Sequence, residues 1–329
     1  MGQIRARRFH RALILGLVTL LSTVAACAPE APAPAGDDAA TATAAEPARG
    51  TVAAADGVPI VYETRGAGDV AVVFIHCWAC NRTFWREQVE PVAADGYRVV
   101  ALDLPGHGES GTDRAQWSIS GLGVDVEAVA DELELERMVL VGHSMGGPVS
   151  LEAARRMPGR VLGIACVDTL HNADFEFPEE MGEQMATRLA TDYRAGMESF
   201  VPQLFKDDAD PEVMAWVIEQ AVASDQAATI ALMRAFTGWE APAAMSAAGA
   251  PIRCINAAPE GERGLATEIA INRKYADFDA VLMEGVGHYP QLERPGEFNE
   301  RLLAVLQELV GRSRVRATRS PGRPRPQTP

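Results

Sequence analysis

Five residues, Gly142-His143-Ser144-Met145-Gly146, follow directly on the apolar run Met138 to Val141. The run reads as a strand buried on both faces, and the glycines flanking the serine read as a sharp turn into a helix. A Cβ at either glycine would collide with neighbouring backbone, so the turn lifts the serine hydroxyl out of the sheet and exposes it as a nucleophile. Gly147 and Pro148 come next, and proline fits the first turn of a helix, where its missing N–H costs nothing. The plainer alternative is a glycine-rich turn whose serine caps the helix. A neutral hydroxyl attacks poorly unless an imidazole takes its proton, so the chemistry also requires a histidine brought to the same place.

Other polar clusters end apolar runs in the same manner. Val70 to Ile75 ends in His76-Cys77-Trp78-Ala79-Cys80, Tyr97 to Leu102 in Asp103-Leu104-Pro105-Gly106-His107-Gly108-Glu109-Ser110, and Ala280 to Met283 in Gly285-Val286-Gly287-His288-Tyr289-Pro290. Each cluster falls at the carboxyl end of a strand, the edge where open α/β sheets place their ligands. With these ordered signals, the chain over roughly residues 51–311 resembles an α/β-hydrolase of the single-domain type with a helical cap. The resemblance implies a mainly parallel eight-stranded sheet flanked by helices, with the cap inserted between the sixth and seventh strands. It also implies Ser144 as nucleophile, His288 as general base, and an oxyanion hole made by the backbone N–H groups of Trp78 and Met145. No cofactor and no metal are implied. Of the remaining histidines, His107 organises a loop in this family and His143 is the variable residue before the serine. Relatives carry glycine where Cys77 stands, which raises the question of whether a cysteine is held there at positive φ.

The acid departs from the commonest family pattern. Many relatives carry it after the strand that follows the cap, but here Pro251-Ile252-Arg253-Cys254-Ile255-Asn256 runs into Ala257-Ala258-Pro259 without an aspartate. The strand Val161 to Val167 ends instead at Asp168, the position from which haloalkane dehalogenases and some relatives supply theirs. Asp168 is the expected acid and Glu260 the rival, with helix capping as the alternative role for Asp168.

Cys77 and Cys80 have the spacing of a redox dithiol, yet they precede a serine elbow in a chain too long for a thioredoxin. Pairing across i, i+3 would stiffen the oxyanion loop, whereas zinc lacks a second ligand pair. Cys166 and Cys254 lie in apolar strands and are expected to be buried, inert thiols.

At the start of the chain, Arg5, Arg7, Arg8 and Arg11 precede an apolar stretch from Ala12 to Leu21 and then Val24-Ala25-Ala26-Cys27. The apolar core is too short to cross a bilayer, so residues 1–26 read as a signal peptide. The small residues before Cys27 resemble a bacterial lipoprotein box, which implies lipidation at Cys27 and a membrane-anchored protein of the cell envelope. Ordinary cleaved secretion is the alternative. Residues 27–50 then form an Ala/Pro-rich tether, and Arg312, Arg314, Arg316, Arg319, Arg323 and Arg325 lie in a basic tail, 312–329, expected to be disordered.

The 329 residues carry 30 Lys+Arg against 45 Asp+Glu, a net charge of −15, and ten of those arginines lie in the leader and tail. So acidic a body repels polyanions, which argues against nucleic acid as a partner. Strand-like runs at 58–63, 70–75, 97–102, 138–142, 161–167, 251–256 and 279–283 alternate with helical patterns, as a parallel sheet covered on both faces requires. The insertion at about 169–250, without strand signals, reads as the cap, with Met181, Phe200, Leu204, Phe205, Trp216 and Phe236 as the candidate roof of a pocket. The expected function is a serine hydrolase, carboxylesterase- or lactonase-like, cleaving a small apolar ester, lactone or thioester. Serine rather than aspartate at position 144 disfavours dehalogenase and epoxide hydrolase chemistry. A surface-tethered binding protein without turnover is the alternative.

Overall fold

A computed structural model describes residues 47–258 and 265–319. The expected signal peptide, Cys27, most of the tether, Glu260 and the last ten residues lie outside the described residues. Eight strands form one sheet in the order β1-β2-β4-β3-β5-β6-β7-β8: β1 (Ala48–Ala53), β2 (Pro59–Arg65), β3 (Ala71–Ile75), β4 (Arg98–Leu102), β5 (Met138–His143), β6 (Val161–Val167), β7 (Ile252–Ala257) and β8 (Phe278–Met283). β1 and β2 run antiparallel and β3 to β8 are mutually parallel. β1 was not among the expected strand runs, and it draws Ala48–Gly50 out of the expected tether into pairing with β2.

Because successive side chains of a strand point to opposite faces, the apolar run of β3 serves two cores at once. Val73 and Ile75 join one cluster with Leu122, Val126, Val149 and Met245, whereas Val72 and Phe74 join another with Trp85, Val92, Phe298 and Leu302. The first face is covered by α2 (Ile119–Glu132), α3 (Gly146–Arg156) and α8 (Ala241–Ala248), and the second by α1 (Arg86–Ala94) and the last helix, Pro295–Arg319.

Between β6 and β7 the chain forms α4 (Glu179–Thr191), α5 (Tyr193–Phe200), α6 (Pro211–Ala223), α7 (Gln226–Ala235) and α8. Three of these begin at an aspartate whose side chain accepts a backbone N–H: Asp192, Asp210 and Asp225. Met181 does not roof the pocket as expected. It is 51% exposed, because the buried face of α4 runs through Gly182, Ala186 and Leu189 and leaves it outside. After α9 (Leu265–Asn272) and β8 come the short α10 (Pro290–Glu293) and α11 (Pro295–Arg319). α11 runs past residue 311, the expected end of the fold, and Arg312, assigned from the sequence to a disordered tail, pairs with Asp277 at 3.1 Å and Glu308 at 3.0 Å. Arginine is a good helix former, and no proline interrupts the segment before Pro321.

Candidate active site

Ser144 stands between the end of β5 and the start of α3 with φ 50°, in the left-handed region that an ordinary L-residue seldom adopts. The turn is possible because of what is missing around it. A Cβ on Gly142 would run into the Gly146 carbonyl, and one on Gly146 into the carbonyl of Ile75. The Ser144 N–H is donated to Val167 O at 2.9 Å, which ties the elbow to the end of β6.

Asp168 follows directly on β6, also at positive φ, 44°. Its Oδ1 accepts the Ala257 N–H at 2.9 Å, and its Oδ2 lies 2.6 Å from Nδ1 of His288. Burial alone would raise its pKa, but bonds from His171 and His288, with their charge when protonated, outweigh it and hold the carboxyl far below the usual range. The structure therefore brings Asp168 to His288. Asn256, where many relatives carry the acid, instead accepts the Thr169 N–H at 3.2 Å and steadies the loop after Asp168. His171, given no role from the sequence, has Nε2 3.4 Å from Asp168 Oδ1.

Three residues, Leu204, His143 and Glu293, hold the backbone of the His288 loop. The His288 N–H is donated to Leu204 O at 2.7 Å, which couples the loop to the helical insertion. Its carbonyl accepts from Nε2 of His143 at 2.7 Å, and Glu293 accepts the N–H groups of Gly287 and Tyr289. Burial pushes the Glu293 carboxyl up, and those backbone donors offset part of the rise. His143 is thus more than the variable residue before the serine. It is fully buried, its pKa is brought down to about 3 chiefly by burial, and its neutral ring fixes the carbonyl of His288. The sequence carried no signal for this, since the contact joins residues 145 positions apart.

The loop after β3 is equally organised. Nε2 of His76 accepts the Leu104 N–H at 2.9 Å, which leaves Nδ1–H to donate to Cys77 O at 2.7 Å. A peptide unit is planar, so fixing the Cys77 carbonyl also aims the Trp78 N–H. The Ala79 N–H is donated to Nε2 of His107 at 3.2 Å. Both rings are buried, and burial lowers their pKa values to about 4 for His76 and about 3 for His107. His107 organises a loop as expected, while His76 was not singled out from the sequence. Cys77 and Cys80 form a disulfide with a Cα–Cα distance of 5.2 Å, so neither sulfur is available to a metal. The positive φ in this loop belongs to Ala79, at 55°, and not to Cys77. Among the described residues no protein acceptor takes the N–H of Trp78 or of Met145.

Ser144 and His288 line one cavity of about 210 Å³ together with Trp78, Met197, Phe200, Leu204, Met233, Phe236 and Tyr289. Of the residues expected to form its roof, Phe200, Leu204 and Phe236 do so. Phe205 stacks on Tyr289, and Trp216 packs on Phe84 and under the Arg86 guanidinium. Apart from Ser144 and His288 the walls are almost wholly apolar, and among the described residues no Lys, Arg, Asp or Glu lines them.

A sequence model of the Alpha/beta hydrolase family matches residues 72–301. The dihydrolipoyllysine-residue acetyltransferase component of the acetoin cleaving system from Cupriavidus necator is 39% identical over 119 residues, 36% of this chain and 32% of that protein. The chain therefore spans about a third of that relative's length. Among solved structures, a thermophilic esterase from Thermogutta terrifontis superposes with a TM-score of 0.71 at 22% identity, covering 80% of this chain and 99% of that one. Est816, described as an N-acyl homoserine lactone degrading enzyme, gives a TM-score of 0.63 at 27% identity, covering 78% and 99%.

Proposed function

The chain belongs to the alpha/beta hydrolase family, and from that premise we propose that it is a serine hydrolase cleaving a small apolar ester, lactone or thioester through an acyl-enzyme. One observation carries the reading: Ser144, on a left-handed turn, and His288, bonded to Asp168 at 2.6 Å, line the same cavity. In the proposed reaction His288 Nε2 takes the proton of Ser144 as Oγ bonds to the carbonyl carbon. The carbonyl oxygen, now negative, is met by the N–H groups of Trp78 and Met145, each worth about 2.7–4 kcal/mol in comparable sites. Asp168 stabilises the imidazolium and keeps the proton of Nδ1 in place. His288 then protonates the leaving alkoxide or thiolate as its bond to carbon breaks, and a water activated by the same ring releases the acid.

The walls favour an uncharged acyl group, since among the described residues no Lys, Arg, Asp or Glu lines them to pair with a buried charge. At the roughly 30 Å³ that a water-sized group occupies, a cavity of about 210 Å³ admits a short chain or a small ring. Similarity to an esterase and to a lactone-degrading enzyme supports the same class. A panel of p-nitrophenyl esters of increasing acyl length, run beside Ser144→Ala, tests the proposal. Turnover abolished by the substitution is expected, and unchanged turnover would overturn the assignment of Ser144. Absence of turnover on every acyl donor would favour the tethered binding protein. The proposed site of action, the cell envelope by way of lipid on Cys27, rests on the sequence of residues 1–27 alone.

A further inference from the structure

The disulfide between Cys77 and Cys80 encloses only Trp78 and Ala79. Trp78 carries one of the two N–H groups assigned to the oxyanion, and Ala79 is held at φ 55°, where a residue with a Cβ is unfavourable without restraint. The peptide on either side of Trp78 is gripped by a histidine, His76 at the Cys77 carbonyl and His107 at the Ala79 N–H. Each grip is a single bond, whereas the disulfide closes the turn covalently. Cys77 also lines the cavity with Ser144, and the Trp78 indole is tied to Thr229 O at 2.8 Å, so the closed turn is one wall of the site.

We propose that Cys77 and Cys80 are positioning residues whose disulfide holds Ala79 in its left-handed turn and thereby aims the Trp78 N–H at the oxyanion, so that full turnover requires the oxidised pair. This rests on Ser144 being the nucleophile. When a dithiol reduces the bond, each sulfur gains one electron and one proton, the dithiol closes to its own disulfide, and Ala79 is free to leave the left-handed region. Ground-state contacts of the acyl group with Phe200, Leu204 and Phe236 do not depend on that N–H. The loss therefore falls on kcat and not on KM.

The size of the effect follows from the backbone. Relaxation of one left-handed L-residue corresponds to a loss of about 5- to 30-fold in kcat, which at 1.36 kcal/mol per tenfold is about 1–2 kcal/mol. The test compares the full-length chain with Cys77→Ser/Cys80→Ser and with the same pair carrying Ala79→Gly in addition. Kinetics on the best p-nitrophenyl ester are joined by the rate at which a fluorophosphonate labels Ser144, since the phosphoryl oxygen uses the same donors. The double serine variant is expected to lose about 5- to 30-fold in kcat and in labelling rate, with KM changed less than about threefold. Glycine at position 79, free to adopt positive φ, is expected to return most of that loss. Equal kcat in the double variant, a loss confined to KM, or a kcat loss that Ala79→Gly does not recover would overturn the proposal. Should the double variant not fold, dithiothreitol reduction of the wild-type chain followed by iodoacetamide trapping reads the same change. Peptide mapping then confirms that Cys77 and Cys80 took the label, and a reduced, trapped enzyme with undiminished kcat would overturn the proposal equally. Failure of Ser144 to label in the oxidised wild type would instead count against the hydrolase reading itself.

Discussion

Asp168→Asn exchanges one carboxylate oxygen at the centre of the site for an NH2 group and leaves the shape of the side chain intact. The carboxylate Oδ2 stands 2.6 Å from His288 Nδ1, and Oδ1 accepts from Ala257 N at 2.9 Å. An asparagine can keep the Ala257 bond through its carbonyl oxygen, but it then turns an NH2 group toward His288. The ring must answer with an unprotonated Nδ1, which places the proton on Nε2, the nitrogen that has to receive it from Ser144. The imidazolium formed during attack also loses the negative charge that stabilises it. In a comparable triad the same change lowers kcat by about 10⁴-fold, or about 5.4 kcal/mol at 1.36 kcal/mol per tenfold. His171 also contacts Asp168, with Nε2 3.4 Å from Oδ1, while the His288 ring packs on those of His143 and Tyr289. The expected loss is therefore about 10³- to 10⁴-fold in kcat, with a cooperative thermal transition retained at a lower midpoint, because the stabilising contribution of the buried carboxylate is lost. Steady-state kinetics on a p-nitrophenyl ester read the first quantity and thermal denaturation the second. A kcat within tenfold of wild type would refute the reasoning, and a collapse of kcat in Glu260→Gln instead would move the acid to the segment after β7.

Other consequences follow from burial and charge. His76, His107 and His143 are neutral in the fold, with pKa values near 4, 3 and 3, against about 6.5 when unfolded. Lowered folded values mean that the unfolded chain takes up more protons, so stability is full above about pH 6.5 and falls as pH drops toward 4, by up to about 1.4 kcal/mol per pH unit for each ring. Urea denaturation between pH 4.5 and 7 should show this slope, and a flat profile would contradict it. Asp168, whose folded pKa is depressed, contributes stability above the unfolded carboxylate value of about 3.9, and that contribution is lost only at lower pH. The Tyr289 hydroxyl bonds to no described protein group, so Tyr289→Phe should leave the melting temperature within about 2 °C of wild type. A larger drop would reveal a partner. Acyl chains should gain roughly fourfold in kcat/KM per methylene while the cavity fills, from about 0.8 kcal/mol per buried CH2, and then lose it. A monotonic rise to long chains would contradict a cavity of about 210 Å³ as the acyl site. Cys27→Ser should move the expressed chain from the membrane to the soluble fraction, and an unchanged distribution would remove the lipid anchor.

How far the chain discloses its own architecture depends on whether the constraint is local. The elbow is legible from Gly142, where a Cβ would meet the Gly146 carbonyl four residues on, whereas the need for glycine at 146 is set by Ile75 on the neighbouring strand. The meeting of Asp168 with His288 is legible as a consequence of strand order, since both follow strands of the same parallel sheet. β1 was missed because Ala48–Ala53 has no buried face to pattern it, and only pairing with β2 makes it a strand. The roles of His76, His143 and Glu293 were hidden for a different reason. Each fixes a backbone group near a loop apex, and side-chain type says nothing of which carbonyl or N–H will stand within 3 Å of it. Ala79 shows the limit most clearly, because an alanine gives no warning that its φ will be positive.

The central claim is that the hydroxyl at position 144 is the reactive group of this chain. Treating the folded protein with a fluorophosphonate and sequencing the modified peptide tests it most directly. One adduct per chain is expected, on Ser144, formed more slowly in Asp168→Asn and absent in His288→Ala. An adduct on another residue, or none while ester turnover persists, would contradict it.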